Sequence, residues 1–185
     1  MIIKKFLGRT TLVFLLIGLV SSCATHKKSY SRTEWKHWID EDNDCEDTRA
    51  EILKERSEIP VIIDHKKCKV LTGRWNDYYY PEVLLKASSV DIDHLVPLKH
   101  AHESGGATWS AEDKQRFAND PRNLVVTNRK YNRQKGAKTP LEWLPIDRAY
   151  ACKYWRDWMS IKGLYKLEIS SAERGAHKIC ERSSR

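Results

Sequence analysis

The chain has 185 residues, with 33 Lys+Arg against 25 Asp+Glu and a formal net charge of +8. That length suits one domain, or one domain with a short appendage. Hydrophobic content of 41% with seven Trp excludes wholesale disorder, 31% charged residues exclude a polytopic membrane protein, and the lack of internal repeats excludes solenoids and propellers.

Lys4, Lys5 and Arg9 precede an apolar run at residues 12–20 that ends in Ser21-Ser22-Cys23. A positive start, a short apolar stretch and small residues at a boundary form a secretory signal. The run is shorter than the ~20 residues of a membrane-spanning helix. Val20-Ser21-Ser22-Cys23 resembles a bacterial lipobox, which implies cleavage before Cys23 and a diacylglycerol-based anchor on that cysteine. Ala24 rather than Asp follows, which implies the outer membrane in a cell that has two. The expected organisation is a signal peptide at 1–22, the lipidated cysteine and a polar tether at 23–33, and one domain at 34–182, held at the cell envelope and facing periplasm or cell surface. Loss of residues 1–22 removes Lys4, Lys5 and Arg9 and no acid, so the mature charge becomes +5. That value permits a nucleic-acid partner without demanding one.

Asp44 or Asp47 can cap a helix that runs through Ser57, and Pro60 ends it. Residues 61–63 (VII) read as a strand, and 68–71 as another bounded by Gly73. The segment 74–81 (RWNDYYYP) reads as packing and turn. Residues 91–96 (DIDHLV) are extended up to Pro97. Ser110, with Asp113 three residues on, starts a helix to Phe117. Residues 123–127 (NLVVT) are β-rich, and Asn128 caps a basic helix that reaches Gly136. Asp147 opens a long helix with Gly163 just past its end, and 170–173 (SSAE) is a capping box for a last helix carrying Cys180. The fold class is α+β.

With Cys23 assigned to lipid, four cysteines remain for an oxidising compartment, an even number that reads as two disulfides. Of three pairings the sequence-local one is favoured, Cys45–Cys68 and Cys152–Cys180, each stabilising by ~3 kcal/mol. No Cys-x-x-Cys pair supports a zinc site.

The chemistry concentrates in Asp91-Ile92-Asp93-His94, then Asn123, then Asn132-Arg133-Gln134-Lys135-Gly136. A hairpin followed by a helix brings the end of its first strand against that helix, so Asp93 and His94 oppose Asn132. A carboxylate and an amide oxygen without thiolates suit a hard cation such as Mg²⁺, and an imidazole left free is a base for water. Beside Arg and Lys this set fits phosphodiester hydrolysis. Of the basic run Arg129, Lys130, Arg133, Lys135 and Lys138, Arg133 and Lys135 are expected to hold phosphate. His100 and His102 read as parts of an exposed helix, and His37, His65 and His177 receive no role.

Residues 91–97, 123–127 and 132–136 resemble the three elements of HNH endonucleases, the ββα-metal fold, including the HNH domain of CRISPR effector nucleases. From about Ser31 onward the chain is similar to secreted bacterial HNH proteins related to the C-terminal part of GmrSD restriction enzymes. Residues 35–40 (WKHWID), 44–49 (DCEDTR), 104–106, 117–120 and 142–145 also carry that similarity. The resemblance implies an HNH core embedded in further helices and a small sheet, with His94 as general base and Asp93 and Asn132 as metal ligands. It implies that Asn123 braces the loop behind the histidine, and that Asp91 accepts a hydrogen bond from His94 or from metal-bound water. An Asn at the third position favours Mg²⁺ over zinc, with Mn²⁺ as the alternative. The expected activity is metal-dependent endonucleolysis of DNA, with RNA as the alternative substrate, leaving 5′-phosphate and 3′-hydroxyl ends. No protein partner is indicated, a monomer is expected, and contact with the membrane runs through the lipid on Cys23. The rival is a non-catalytic nucleic-acid-binding lipoprotein on the same scaffold.

Overall fold

The computed structural model describes residues 28–182, so the signal sequence, Cys23 and the first part of the tether lie outside the described residues. Local capping sets most helix starts. The Asp47 carboxylate accepts from Ala50 N–H and begins α1 (Thr48–Glu55), which buries Ala50, Ile52 and Leu53. Val61 precedes β1 (Ile62–Asp64), which pairs antiparallel with β2 (Lys69–Asn76), and β2 pairs antiparallel with β3 (Val83–Lys86). Gly73 does not end a strand, as the sequence led us to expect. It lies inside β2, where a Cβ would stand 2.5 Å from the Trp75 ring and 2.8 Å from Ser57 Oγ, so close approach explains the glycine.

A second sheet holds β4 (Val90–His94) antiparallel to β5 (Leu124–Asn128). Between them run α2 (Leu98–Glu103), which follows Pro97, and α3 (Ala111–Asn119), capped by Ser110 through the Asp113 N–H. Asn128 caps α4 (Arg129–Lys135), which starts where β5 stops and ends at Gly136 with φ +54°. Asp147 caps α5 (Arg148–Leu164), which takes in Gly163 rather than stopping before it. The Ser170–Glu173 capping box opens α6 (Ser171–Arg182): Glu173 N–H donates to Ser170 Oγ, and Ser170 N–H donates to Glu173 Oε2.

Alternation along β4 and β5 divides the apolar core. Val90, Ile92, Leu124 and Val126 pack with α1 and Trp75 in one cluster. A second cluster of Trp35, Tyr79, Phe117, Tyr154, Trp155 and Trp158 fills the space among α2, α3, α5 and α6. Disulfides join Cys45 to Cys68 and Cys152 to Cys180, in the pairing the sequence favoured, and the second one ties α6 to α5. No helix among the described residues is long and apolar enough to cross a membrane.

Candidate active site

The hairpin β4–β5 and helix α4 form a ββα unit. In the hairpin Asp93 faces Val125 and His94 faces Leu124 across the ladder. Helix α4 begins without a linker and folds back over the hairpin, so its residues meet β4 side chains. Asn132 and Lys135, three apart, lie on the same helix face. Asn132 Nδ2 donates to Asp91 Oδ2 at 3.1 Å. Lys135 Nζ lies 2.9 Å from Asp93 Oδ2 and donates to His94 O at 3.0 Å.

His94 ends β4 and turns toward α3. Its Nε2 lies 2.8 Å from Ala118 O. A carbonyl can only accept, so Nε2 carries the hydrogen, and in the neutral ring Nδ1 is left as the acceptor, the form a base needs. Burial pulls the pKa of this ring down to about 3. Trp38 stacks on it at 5.7 Å between centroids, and His37 meets it edge-on at 6.0 Å. Asn123, fully buried, clamps the chain beyond His94: its Oδ1 accepts from Val96 N–H at 2.8 Å, its Nδ2 donates to Val96 O, and its own carbonyl accepts from Leu95 N–H.

Asp93 is buried on the side of α4. Tyr79 OH donates to its Oδ2 at 2.7 Å. Tyr79 is aimed there by Asp77, whose Oδ1 accepts from Tyr79 and Tyr80 N–H and whose Oδ2 accepts from Thr127 Oγ1 and Asn128 N–H. This carboxylate therefore ties the 77–80 turn to the end of β5. Burial pushes the Asp93 carboxyl up, and the Lys135 ammonium opposes that.

A cavity of about 320 Å³ brings the set together: Asp93, His94 and Asn132 line it with Tyr30, Arg32 and Lys99. The residues present fit a hard divalent cation. Asn132 spends its N–H on Asp91, which leaves its Oδ1 free of that contact, and Asp93 lines the same space. Oxygen donors alone, with room for several waters, suit Mg²⁺ or Mn²⁺ better than zinc.

Several expectations change. Lys135 is not placed to hold a phosphate, because it is fully buried against Asp93; three residues on from Asn132, it shares that residue's inward face. Arg133 is exposed on α4, outside the cavity lining. Asp91 contacts Asn132 and Arg129 rather than His94. His100 and His102 are not on an exposed helix: His102 is buried against Tyr30 and Trp35, and His100 meets Lys162 and Ser104. His65 is exposed. Sequence reading missed Tyr79, Tyr30, Arg32, Trp38, Lys99 and the neighbour of His94 at His37. The aromatic run at 78–80 hinted at Tyr79, whereas nothing in local spacing marks the others.

A ββα unit presenting an Asp-His pair and an Asn to one cavity defines a nuclease-like class of the HNH type. Residues 47–176 match the family model for the C-terminal domain of GmrSD restriction endonucleases, and the chain belongs to that family. HNH-type nuclease families generally use a divalent metal and take nucleic acid as substrate. A protein of the fungus Arthroderma benhamiae named "Uncharacterized secreted protein" is 37% identical over 164 residues, covering 88% of this chain and 79% of its own length. A secreted relative is consistent with a location outside the cytoplasm. No solved structure matches the chain.

Proposed function

We propose that the protein is a metal-dependent endonuclease acting outside the cytoplasm on DNA, with RNA as the alternative substrate. The observation that carries this is the convergence of Asp93, His94 and Asn132 on one cavity, with His94 held in its acceptor form by Ala118 O. His94 Nδ1 takes a proton from a water molecule whose oxygen attacks the phosphorus. The P–O3′ bond breaks, and the departing 3′-oxygen takes up a proton from solvent, leaving 5′-phosphate and 3′-hydroxyl ends. Asp93 and Asn132 would hold Mg²⁺ or Mn²⁺, which supplies neutralisation of charge at the phosphate and the leaving oxygen. Asp91 keeps the Asn132 amide in its ligating orientation, and Asn123 fixes the backbone behind His94.

The test is endonucleolytic cutting of circular single-stranded DNA, run beside supercoiled plasmid. Wild type should cut in Mg²⁺ and stop in EDTA, and His94→Ala should be slower by roughly 10²–10⁴-fold, the scale of a lost general base. Cutting by His94→Ala at the wild-type rate would place the chemistry elsewhere, and binding of DNA without cutting of either form by wild type would favour a binding module. We propose further that Cys23 carries a lipid anchor, on the strength of the Val20-Ser21-Ser22-Cys23 sequence. Palmitate labelling should disappear in Cys23→Ser, and persistent labelling would refute the anchor.

A further inference from the structure

We propose that residues 30–40 turn the cavity into a seat for one flexible strand of nucleic acid, with Arg32 and Lys99 on its phosphates and Tyr30 against a base, and that they keep duplex out. This deepens the nuclease reading and rests on it.

Residues 30–40 lie before the family match, which starts at residue 47. They run across the face of His94 and leave it 5% exposed. Trp38 covers the ring by stacking, with its own backbone at φ +59°, a left-handed conformation that costs a non-glycine residue roughly 1–2 kcal/mol. Trp35 is buried against Phe117 and Trp109. Asn119 Nδ2 donates to Lys36 O at 2.8 Å, and Thr48 N–H and Oγ1 both donate to Ile39 O. Glu34 pairs with the buried Lys114 at 2.8 Å. Contacts at so many points make the segment a fixed wall.

That wall leaves the 320 Å³ cavity as the approach to His94. The volume sits at the low end of the ~300–1,000 Å³ typical of small-molecule sites, enough for about one nucleotide. In a duplex the scissile phosphate sits on a stiff rod and cannot sink to a recessed histidine. A single strand can bend and turn its phosphate inward.

The mouth carries the chemistry that recognises such a strand. With Lys135 committed to Asp93, the cations that line the cavity are Arg32 and Lys99. Arg32 is exposed, and its Nη2 meets His37 Nε2 at 3.3 Å. His37 is itself fixed through Nδ1 to Trp35 O at 2.9 Å, so it acts as a positioning residue for the guanidinium. Lys99 pairs with Glu103 at 3.9 Å, both side chains being exposed. Tyr30 lines the cavity and meets His102 edge-on at 5.6 Å. An aromatic face beside cations is the usual means of holding unpaired strands.

The test measures binding apart from cutting. The full chain, in EDTA, is titrated by fluorescence anisotropy into a labelled single-stranded DNA oligonucleotide and into the same sequence as a blunt duplex. The single strand should bind at least ~10-fold more tightly. Arg32→Ala and Lys99→Ala, both at exposed positions, should each weaken single-strand binding several-fold and reduce its salt slope by about 0.7, one phosphate contact, with Arg32→Lys recovering part of the loss. Equal affinity for both forms, or no binding to either, would overturn the proposal, as would unchanged salt slopes in both alanine variants. A retained strand preference in a protein that cuts neither single-stranded DNA nor plasmid in Mg²⁺ would remove the nuclease reading alone.

Discussion

Among the described residues two lysines are wholly buried, and their surroundings differ in an instructive way. Lys162, on α5, donates to Glu173 Oε1 at 2.7 Å and meets His100 Nε2 at 2.9 Å. Glu173 also accepts from Trp158 Nε1 and from Ser170 N–H. Burial pushes that carboxyl up, yet these donors together hold it down at about 2. Lys135, in contrast, shares Asp93 with Tyr79 alone, and the Asp93 carboxyl stays above its ordinary range. The first cluster is saturated and bridges three helices. The second is short of donors and opens on a cavity. A buried charge by itself therefore does not distinguish the candidate site here; an incompletely satisfied one beside open space does.

Removing either lysine should test this directly. Lys162→Ala and Lys135→Ala each strand a buried carboxylate and should cost about 3–5 kcal/mol in urea unfolding. Mg²⁺ should recover part of the loss in Lys135→Ala, where a cation can take over at Asp93, and none in Lys162→Ala. An equal response of both variants to Mg²⁺ would abolish the distinction.

Acid should come next in size. His94 and His100 are held neutral, with pKa values of about 3 and about 4 produced chiefly by burial. In the unfolded chain each ring takes a proton near pH 6.5, so below that value the unfolded state binds more protons. Stability is then complete above pH ~6.5 and falls as pH drops toward 4 and 3, by up to about 1.4 kcal/mol per pH unit for each ring. His100→Gln should flatten that slope in pH-dependent unfolding curves, and an unaltered slope would show that His100 is already charged in the fold. The smallest effect belongs to Ser170→Ala, about 1 kcal/mol from the lost cap on α6, seen as a modest fall in melting temperature with DNA cutting unchanged.

Much of the fold was legible because its signals are local. Asp47, Ser110, Asn128, Asp147 and Ser170 each announce a helix through a contact two or three residues away. The hairpin and α4 were legible for another reason: β5 runs straight into α4, and residues 91–97, 123–127 and 132–136 resemble known elements, so Asp93, His94 and Asn132 could be placed together although α2 and α3 separate the two strands. Strand β3 escaped notice because only Leu84 of its four residues is buried, leaving no alternation to detect. Gly73 misled because close packing and a chain break look alike in sequence. Lys135 read as a solvated charge because its partner Asp93 is brought to it by tertiary structure. The residues at the mouth, Tyr30 and Arg32, stand far upstream of His94, and no pattern within a helix or strand connects them.

The two disulfides reach further than the elements they join. The Cys152–Cys180 bridge ties down the helix that delivers Glu173 to Lys162, and the Cys45–Cys68 bridge closes the loop containing α1, which backs β4 and β5. At ~3 kcal/mol apiece they contribute an amount comparable to the whole net stability of ~5–15 kcal/mol that an ordinary domain has. Where glutathione keeps thiols reduced, that contribution is missing and the chain sits near its unfolding threshold. Redox potential thus becomes a timer on maturation: the polypeptide acquires its durable form only in an oxidising compartment.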